Sequence, residues 1–177
     1  MGFYIILNYI ELLALARTSI TPSLANYLLV IINAASLPGR LVPGYYADHI
    51  GSINVQITVI CASVVLTFSL LTIRTSAALF VFSVLYGFMT GAFMGLPAAG
   101  IASLSPDKSK IGTRLGMTLS FVGFGLLVSN PIAGAILGSE GNWVGLIVWC
   151  GVLLTASGVC LVASRILKVG PELTSVI

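Results

Sequence analysis

Residues 75–106 read TSAALFVFSVLYGFMTGAFMGLPAAGIASLSP and carry no charged side chain in 32 positions. The hydrocarbon core of a bilayer is about 30 Å thick, and an α-helix that rises about 1.5 Å per residue crosses it in roughly 20 apolar residues. A stretch of this length and composition is therefore predicted to be a membrane-spanning helix flanked by short connections.

The rest of the chain follows the same pattern. Of its 177 residues, 58% are hydrophobic and 7% are charged, whereas a soluble domain carries about 25% charged residues. Mean hydropathy is +1.10. We predict an all-α polytopic membrane protein that forms a single six-helix transmembrane bundle over residues 1–177. The helices are predicted near 1–16, 24–46, 54–73, 78–103, 113–137 and 142–165.

The first predicted helix is short and looks clipped, as if the chain began inside a helix. Lys and Arg fall unevenly on the two predicted sides of the membrane, and only Arg17 and Arg74 lie on the poorer side. The richer side carries Arg40, Lys108, Lys110, Arg114, Arg165 and Lys168. Because cytoplasmic loops are enriched in Lys and Arg, we expect both termini in the cytoplasm. The sequence does not distinguish the plasma membrane from the vacuolar membrane.

Small residues recur at every fourth position in two of the predicted helices. They are Gly87, Gly91 and Gly95 in the fourth helix and Gly112, Gly116 and Ser120 in the fifth. Residues spaced by four share one helix face, and small side chains there allow two backbones to approach closely. Both sets are predicted to pack against neighbouring helices.

Several function classes find no support in the composition. The net charge is only +3 and no basic stripe appears, so no nucleic-acid partner is expected. Cys61, Cys150 and Cys160 lie in apolar runs without a CxxC pair, and there is one histidine, so no metal site is predicted. No Walker loop or catalytic cluster is present. We expect no enzyme and no cofactor; the expected partners are the lipid bilayer and a small-molecule solute.

A local motif at the end of the second predicted helix indicates which kind of membrane protein this is. Residues 33–51 read NAASLPGRLVPGYYADHIG. Gly44, Asp48 and Gly51 match the spacing of the cytoplasmic loop signature of the major facilitator superfamily, which this stretch resembles, although His49 stands where Arg or Lys is usual. The resemblance implies that Asp48 acts as a latch by contacting a neighbouring helix N-terminus or basic group. The alternative is that Asp48 caps a helix or stays solvated.

The wider sequence resembles the fungal monocarboxylate-transporter-like group of that superfamily, in its C-terminal six-helix half. Arg114, Gly116 and the Asn130-Pro131 pair of the fifth helix support the resemblance. It implies alternating-access transport of a small organic solute, with monocarboxylates or related organic anions as the substrate class. The chain would be a truncated or half-length transporter that pairs with a second half or another copy. The alternative is a non-transporting membrane protein that keeps the half-transporter fold.

Arg40 is the leading candidate for solute binding. An ionisable side chain near the membrane interior usually faces protein or water, and Arg40 could attract an anion as a positive point charge. Animal carriers of this group place an acid one turn earlier, and Ser36 stands there instead. The resemblance therefore gives no support to proton coupling through that pair. A role as a topology signal at the helix end remains equally open.

Other polar groups inside the predicted spans are candidates for the solute pathway, because each needs a partner away from lipid. They are Asn33, Ser36, Glu11, Tyr86 and Asn130. Hydrogen bonding between helices is the alternative for each of them, and Glu11 could instead mark the outer end of the first helix.

Overall fold

The structure is a computed structural model and describes residues 2–18, 20–103, 111–138 and 141–169. These residues form six α-helices, which confirms the all-α fold predicted from the uncharged runs. They are α1 (Gly2–Arg17), α2 (Pro22–Ile50), α3 (Ser52–Ser69), α4 (Ser76–Ser103), α5 (Ile111–Leu137) and α6 (Trp143–Val169).

Helices α2 to α6 are long and apolar enough to cross a membrane. The 16 residues of α1 reach about 24 Å, which is less than the thickness of the hydrocarbon core. Predicted near 24–46, the second helix contains Pro38 and Pro43 as expected but extends from Pro22 to Ile50. Asp48 of the predicted loop motif therefore lies inside α2. Proline is tolerated inside membrane helices because neighbouring groups satisfy the freed backbone carbonyls.

The core forms around α1, which contacts α2, α4, α5 and α6. Phe3 and Ile10 of α1 are almost completely buried, as are Leu28 of α2, Leu79 of α4 and Ile147 of α6. The most extensive contact in the bundle is between α2 and α4, and α3 lies against α4 and α6. By contrast, α5 makes few contacts with any neighbour.

A single residue connects α2 to α3. Gly51 has φ 93° and donates its N–H to the carbonyl oxygen of Ala47 at 3.0 Å. Glycine adopts positive φ without the steric cost that a Cβ would bring. We call this side of the bundle the α2–α3 end. Arg17 and Arg74 lie together at the opposite side, where their like charges interact.

Candidate functional site

The glycines of α4 bring its backbone into direct contact with α2. A Cβ added at Gly87 would lie 2.5 Å from the carbonyl oxygen of Ile32, and one at Gly91 would overlap the carbonyl of Ser36. From the other side, a Cβ at Gly39 of α2 would overlap the carbonyl of Phe88. Real Cβ atoms do not approach other atoms so closely, so these positions require glycine. The packing role predicted for Gly87 and Gly91 is confirmed.

This contact fixes the position of Arg40, one helical turn beyond Ser36. The Arg40 side chain is exposed, and its Nη2 lies 4.0 Å from Sδ of Met94 on α4. No carboxylate within the described ranges forms a salt bridge with it. Ser36 is buried and donates its hydroxyl to the carbonyl oxygen of Asn33 at 2.7 Å. Asn33 is exposed on the same side of α2 as Arg40, seven residues away, or about 10 Å along the axis.

Met94 also lines a cleft of about 300 Å³ between α1, α4 and α5. The walls are mostly apolar and are formed by Tyr4, Phe93, Met94, Pro97, Leu115, Thr118, Leu119 and Val122. The hydroxyl of Thr118 donates to the carbonyl oxygen of Arg114 at 2.9 Å, within its own helix. Ligand sites combine apolar walls with a few polar groups that fix orientation. This cleft, with Arg40 beside it, has that character.

The two halves of α5 differ sharply. Gly125, Ser129 and Ala133 in its second half are buried against the bundle. In the first half almost every side chain is exposed, and Phe121 is 79% exposed. A Cβ added at Gly112, Gly116 or Gly123 would meet nothing within 4 Å. The packing predicted for Gly112 and Gly116 is therefore not made within the part of the chain that the structure describes.

The second half of α5 is joined to α1 by a hydrogen bond and by close packing. Asn8 donates its side-chain N–H to Oδ1 of Asn130 at 3.2 Å. One turn further on, a Cβ at Gly134 would lie 3.3 Å from the Tyr9 hydroxyl. Asn130 therefore makes the interhelical hydrogen bond that was the alternative to a place in the solute pathway.

Tyr86 lies in the core. It is fully buried, and its ring centroid is 5.5 Å from that of Phe3 and 5.1 Å from that of Phe82. Its hydroxyl faces the hydroxyl of Thr67 on α3, but neither oxygen has a hydrogen-bond partner of ordinary geometry among the described residues. We therefore place Tyr86 behind the cleft rather than on its surface.

Glu11 and the loop motif lie apart from the cleft. Glu11 is partly buried on α1, where its carboxylate has no hydrogen bond or ion pair with another described residue. Asp48 is exposed, and the N-terminus of α3 has no side-chain cap, so Asp48 does not cap that helix. A Cβ at Gly44 would meet open space, whereas Gly51 makes the turn described above. Asp48 is thus accessible to another segment or another chain.

Comparison with known proteins identifies the family. Residues 1–175 match the family profile of the Major Facilitator Superfamily. The chain belongs to this superfamily. Its six helices correspond to half of a major facilitator fold, in a multi-pass membrane protein. The superfamily consists of transporters of small solutes and not of enzymes.

Similar curated proteins are fungal. MFS-type transporter 1 of Ophiocordyceps sp. is 40% identical over 175 residues, which cover 98% of this chain and 38% of the relative. MFS-type transporter dbaD of Emericella nidulans is 41% identical over 160 residues, 89% of this chain and 36% of the relative. Aspyridones efflux protein apdF of Emericella nidulans is 36% identical over 149 residues, 84% of this chain and 31% of the relative.

The chain spans less than two fifths of the length of these three relatives. No solved structure matches it. None of the three names specifies a monocarboxylate, so the narrower resemblance to monocarboxylate carriers stays a prediction.

Proposed function

We propose that this chain is one half of an alternating-access transporter whose solute is a small organic anion with an apolar body. The observation that carries the proposal is the position of Arg40. Its guanidinium touches Met94 at the side of the apolar cleft and has no carboxylate partner among the described residues. A charge at this depth is costly unless it meets a counter-charge or water, and an anionic solute would supply the counter-charge.

The cleft supports the apolar part of the solute. Phe93, Pro97, Leu119 and Val122 offer hydrocarbon surface, and Tyr4 and Thr118 offer hydroxyls. A solute that spans from Arg40 into this cleft would pair its anionic group with the guanidinium and bury its body against α4 and α5. A monocarboxylate is the simplest solute with these properties, and Asn33 on the same side of α2 could contact its polar end.

A second half would complete the pathway. Substrate sites in such transporters lie near the midplane, where two repeats meet. The exposed first half of α5 offers surface to a partner half or another copy. In that arrangement Asp48, with Gly44 and Gly51, would latch onto the partner at the α2–α3 end. By the excess of Lys and Arg, this end and both termini would face the cytoplasm.

The name of one relative suggests in which direction the solute is moved. That relative is called an efflux protein for aspyridones. By this likeness we propose that the complete transporter exports its solute from the cytoplasm. A plasma-membrane and a vacuolar location would both suit such export.

The test is transport in proteoliposomes that contain the chain alone or together with a partner half. Labelled monocarboxylates are compared with neutral amides of the same size. A lost charge-assisted hydrogen bond costs about 1.5–3 kcal/mol, so Arg40→Gln is expected to lower carboxylate transport about tenfold or more. Arg40→Lys should retain part of the transport because it keeps the positive charge.

Arg114→Gln is the matched control, because it removes an arginine on the same predicted side without lining the cleft. It should leave transport unchanged. If Arg40→Gln and Arg114→Gln lowered carboxylate transport equally, the role of Arg40 in binding the solute would be rejected. A correctly folded chain that moves no solute, alone or with a partner half, would instead favour the non-transporting alternative.

A further inference from the structure

Arg165 near the end of α6 is a buried cation that the proposed solute pathway does not use. Only 6% of its surface is exposed. It lines a pocket of about 270 Å³ at the α2–α3 end, together with Asn54 and Thr58 of α3 and Ile50 of α2. Arg165 and the polar groups of Asn54 and Thr58 thus occur together at the end of two membrane-spanning helices.

This pocket joins two apolar grooves, one on each side of α3. The first groove, between α3 and α6, has a volume of about 550 Å³ and shares Val162 and Ile166 with the pocket. The second, between α2, α3 and α4, has a volume of about 380 Å³ and shares Asn54 and Thr58 with it. The pocket at Arg165 therefore adjoins both grooves.

The grooves are apolar and face outward from the bundle. Ile60, Val64 and Val159 line the first groove, and Val159 is 64% exposed. Val59 and Phe88 line the second. Cys61 of α3 is exposed and lines the first groove, whereas Ala62, the next residue, lines the second. In a membrane-spanning chain, an outward apolar surface contacts lipid wherever no other protein segment covers it.

The dimensions fit one leaflet. From Arg165 to Thr155, the lining residue of the first groove that is farthest from Arg165 along α6, the helix advances about 15 Å at about 1.5 Å per residue. From Asn54 to Ala62 in the second groove, α3 advances about 12 Å by the same rise. Half of a hydrocarbon core of about 30 Å is about 15 Å. Each groove is thus about as long as an acyl chain in one leaflet.

We propose that a phospholipid with an anionic headgroup binds here, with its phosphate at Arg165 and Asn54 and its two acyl chains in the grooves on either side of α3. The guanidinium provides a positive charge and five N–H donors, so it can donate to a phosphate oxygen alongside another partner. Asn54 donates one of its two side-chain N–H groups to the Ile50 carbonyl at 2.9 Å and retains the other for a phosphate oxygen. Basic pockets between membrane helices are known sites for anionic lipid headgroups.

The site does not depend on the proposed transport activity. It requires only that the chain cross a membrane, and it is separated from the cleft by other helices. If the α2–α3 end faces the cytoplasm, the bound lipid belongs to the cytoplasmic leaflet, where anionic lipids are concentrated.

Native mass spectrometry of the purified, delipidated chain tests the proposal. Phosphatidylglycerol and phosphatidylcholine with identical acyl chains are titrated separately, so only the headgroup charge differs. The first phosphatidylglycerol is expected to bind at least tenfold more tightly than phosphatidylcholine. Arg165→Gln should abolish this preference, and Arg165→Lys should keep most of it. Val159→Trp, which fills the first groove, should weaken the binding of both lipids.

Two controls match these variants in chemistry. Arg114→Gln removes another arginine, and Val128→Trp places the same ring at an exposed α5 position that is 59% exposed and outside both grooves. Both should bind lipid as the unchanged chain does. Thermal unfolding in phosphatidylcholine identifies any variant that has lost its fold, and Arg165→Lys still tests the charge if Arg165→Gln does not fold.

Three results would overturn the proposal. The first is equal affinity of the unchanged chain for the two lipids, and the second is a full preference for phosphatidylglycerol in folded Arg165→Gln. The third is efficient crosslinking of two copies through Cys61 and Cys160, which are both exposed, when phosphatidylglycerol is saturating. That result would show that a second protein copy, and not lipid, covers the grooves.

Discussion

Helices α4 and α5 carry the same spacing of small residues and use it differently. Gly87 and Gly91 of α4 lie against the backbone of α2, whereas a Cβ at Gly112 or Gly116 of α5 would meet open space. The spacing makes close packing possible but does not cause it. What decides the outcome is whether another helix presents its backbone to the small face, and α2 does this only for α4.

Because of this difference, the α2–α4 part of the candidate site is held firmly in place, whereas the α5 part is held by few contacts. The α2–α4 contact determines where Arg40 and Met94 lie relative to each other. The first half of α5 supplies Leu115, Thr118 and Leu119 to the cleft but packs against little else. The Asn8–Asn130 hydrogen bond and the buried residues Ser129 and Ala133 hold the other half of α5.

Gly91→Ala is expected to have the largest effect on stability. The new methyl group would overlap the Ser36 carbonyl, so α2 and α4 must separate. Overpacking of this kind costs about 3 kcal/mol, at the upper end of its usual range. Reversible unfolding in mixed detergent measures the free energy of unfolding. Gly44→Ala is the control, since a Cβ there meets nothing within 4 Å; an equal loss in both variants would contradict close α2–α4 contact.

Asn130→Ala should have an intermediate effect. It removes the hydrogen bond that joins α5 to α1, and interhelical hydrogen bonds in membranes contribute about 0.6 kcal/mol on average. A double-mutant cycle with Asn8→Ala measures the coupling between the two side chains. A coupling energy of zero would mean that the apolar contacts of Gly125 and Ala133 alone hold the second half of α5.

Gly116→Ala should have a smaller effect and the opposite sign. The methyl group enters open space, and alanine favours the helix over glycine, so the free energy of unfolding should rise by about 0.5 kcal/mol, the lower end of the usual range. The same unfolding assay on the chain alone measures it. A loss of stability would indicate that the first half of α5 already packs against another surface, such as a second copy of the chain.

Tyr86→Phe should change stability least. The ring keeps its contacts with Phe3 and Phe82, and the hydroxyl that is removed has no hydrogen-bond partner of ordinary geometry among the described residues. Removing a buried polar group that has no hydrogen bond should leave the free energy of unfolding unchanged or raise it slightly, by no more than about 0.5 kcal/mol. A loss above about 1 kcal/mol would instead indicate a hydrogen bond between Tyr86 and Thr67.

The helices could be predicted because lipid leaves few alternatives. A long uncharged run inside lipid must form all its backbone hydrogen bonds within itself, and an α-helix does so. The number of helices and their approximate positions therefore follow from the spacing of the charged residues. The predicted end of α2 near residue 46 is four residues too early, because Asp48 matches a family motif that is a loop, whereas here the helix continues to Ile50. The prolines caused no error, since Pro38 and Pro43 lie inside the predicted and the observed helix.

The candidate site could be predicted only where a single residue is unusual for its surroundings. Arg40 stands out as a charge in an apolar run, and the structure places it beside the cleft. Tyr4 and Thr118 carry no local signal, since their position depends on α1, α4 and α5 lying together. For Tyr86 a polar hydroxyl suggested a pathway, but the large apolar ring determined its burial in the core.

The turn at Gly51 has a mechanical consequence. With a single non-helical residue between them, the adjoining ends of α2 and α3 cannot separate, so the first turn of α3 must follow any displacement of the last turn of α2. A flexible insertion after Gly51 would remove this constraint, because each added residue lets the two helix ends separate by up to about 3.5 Å.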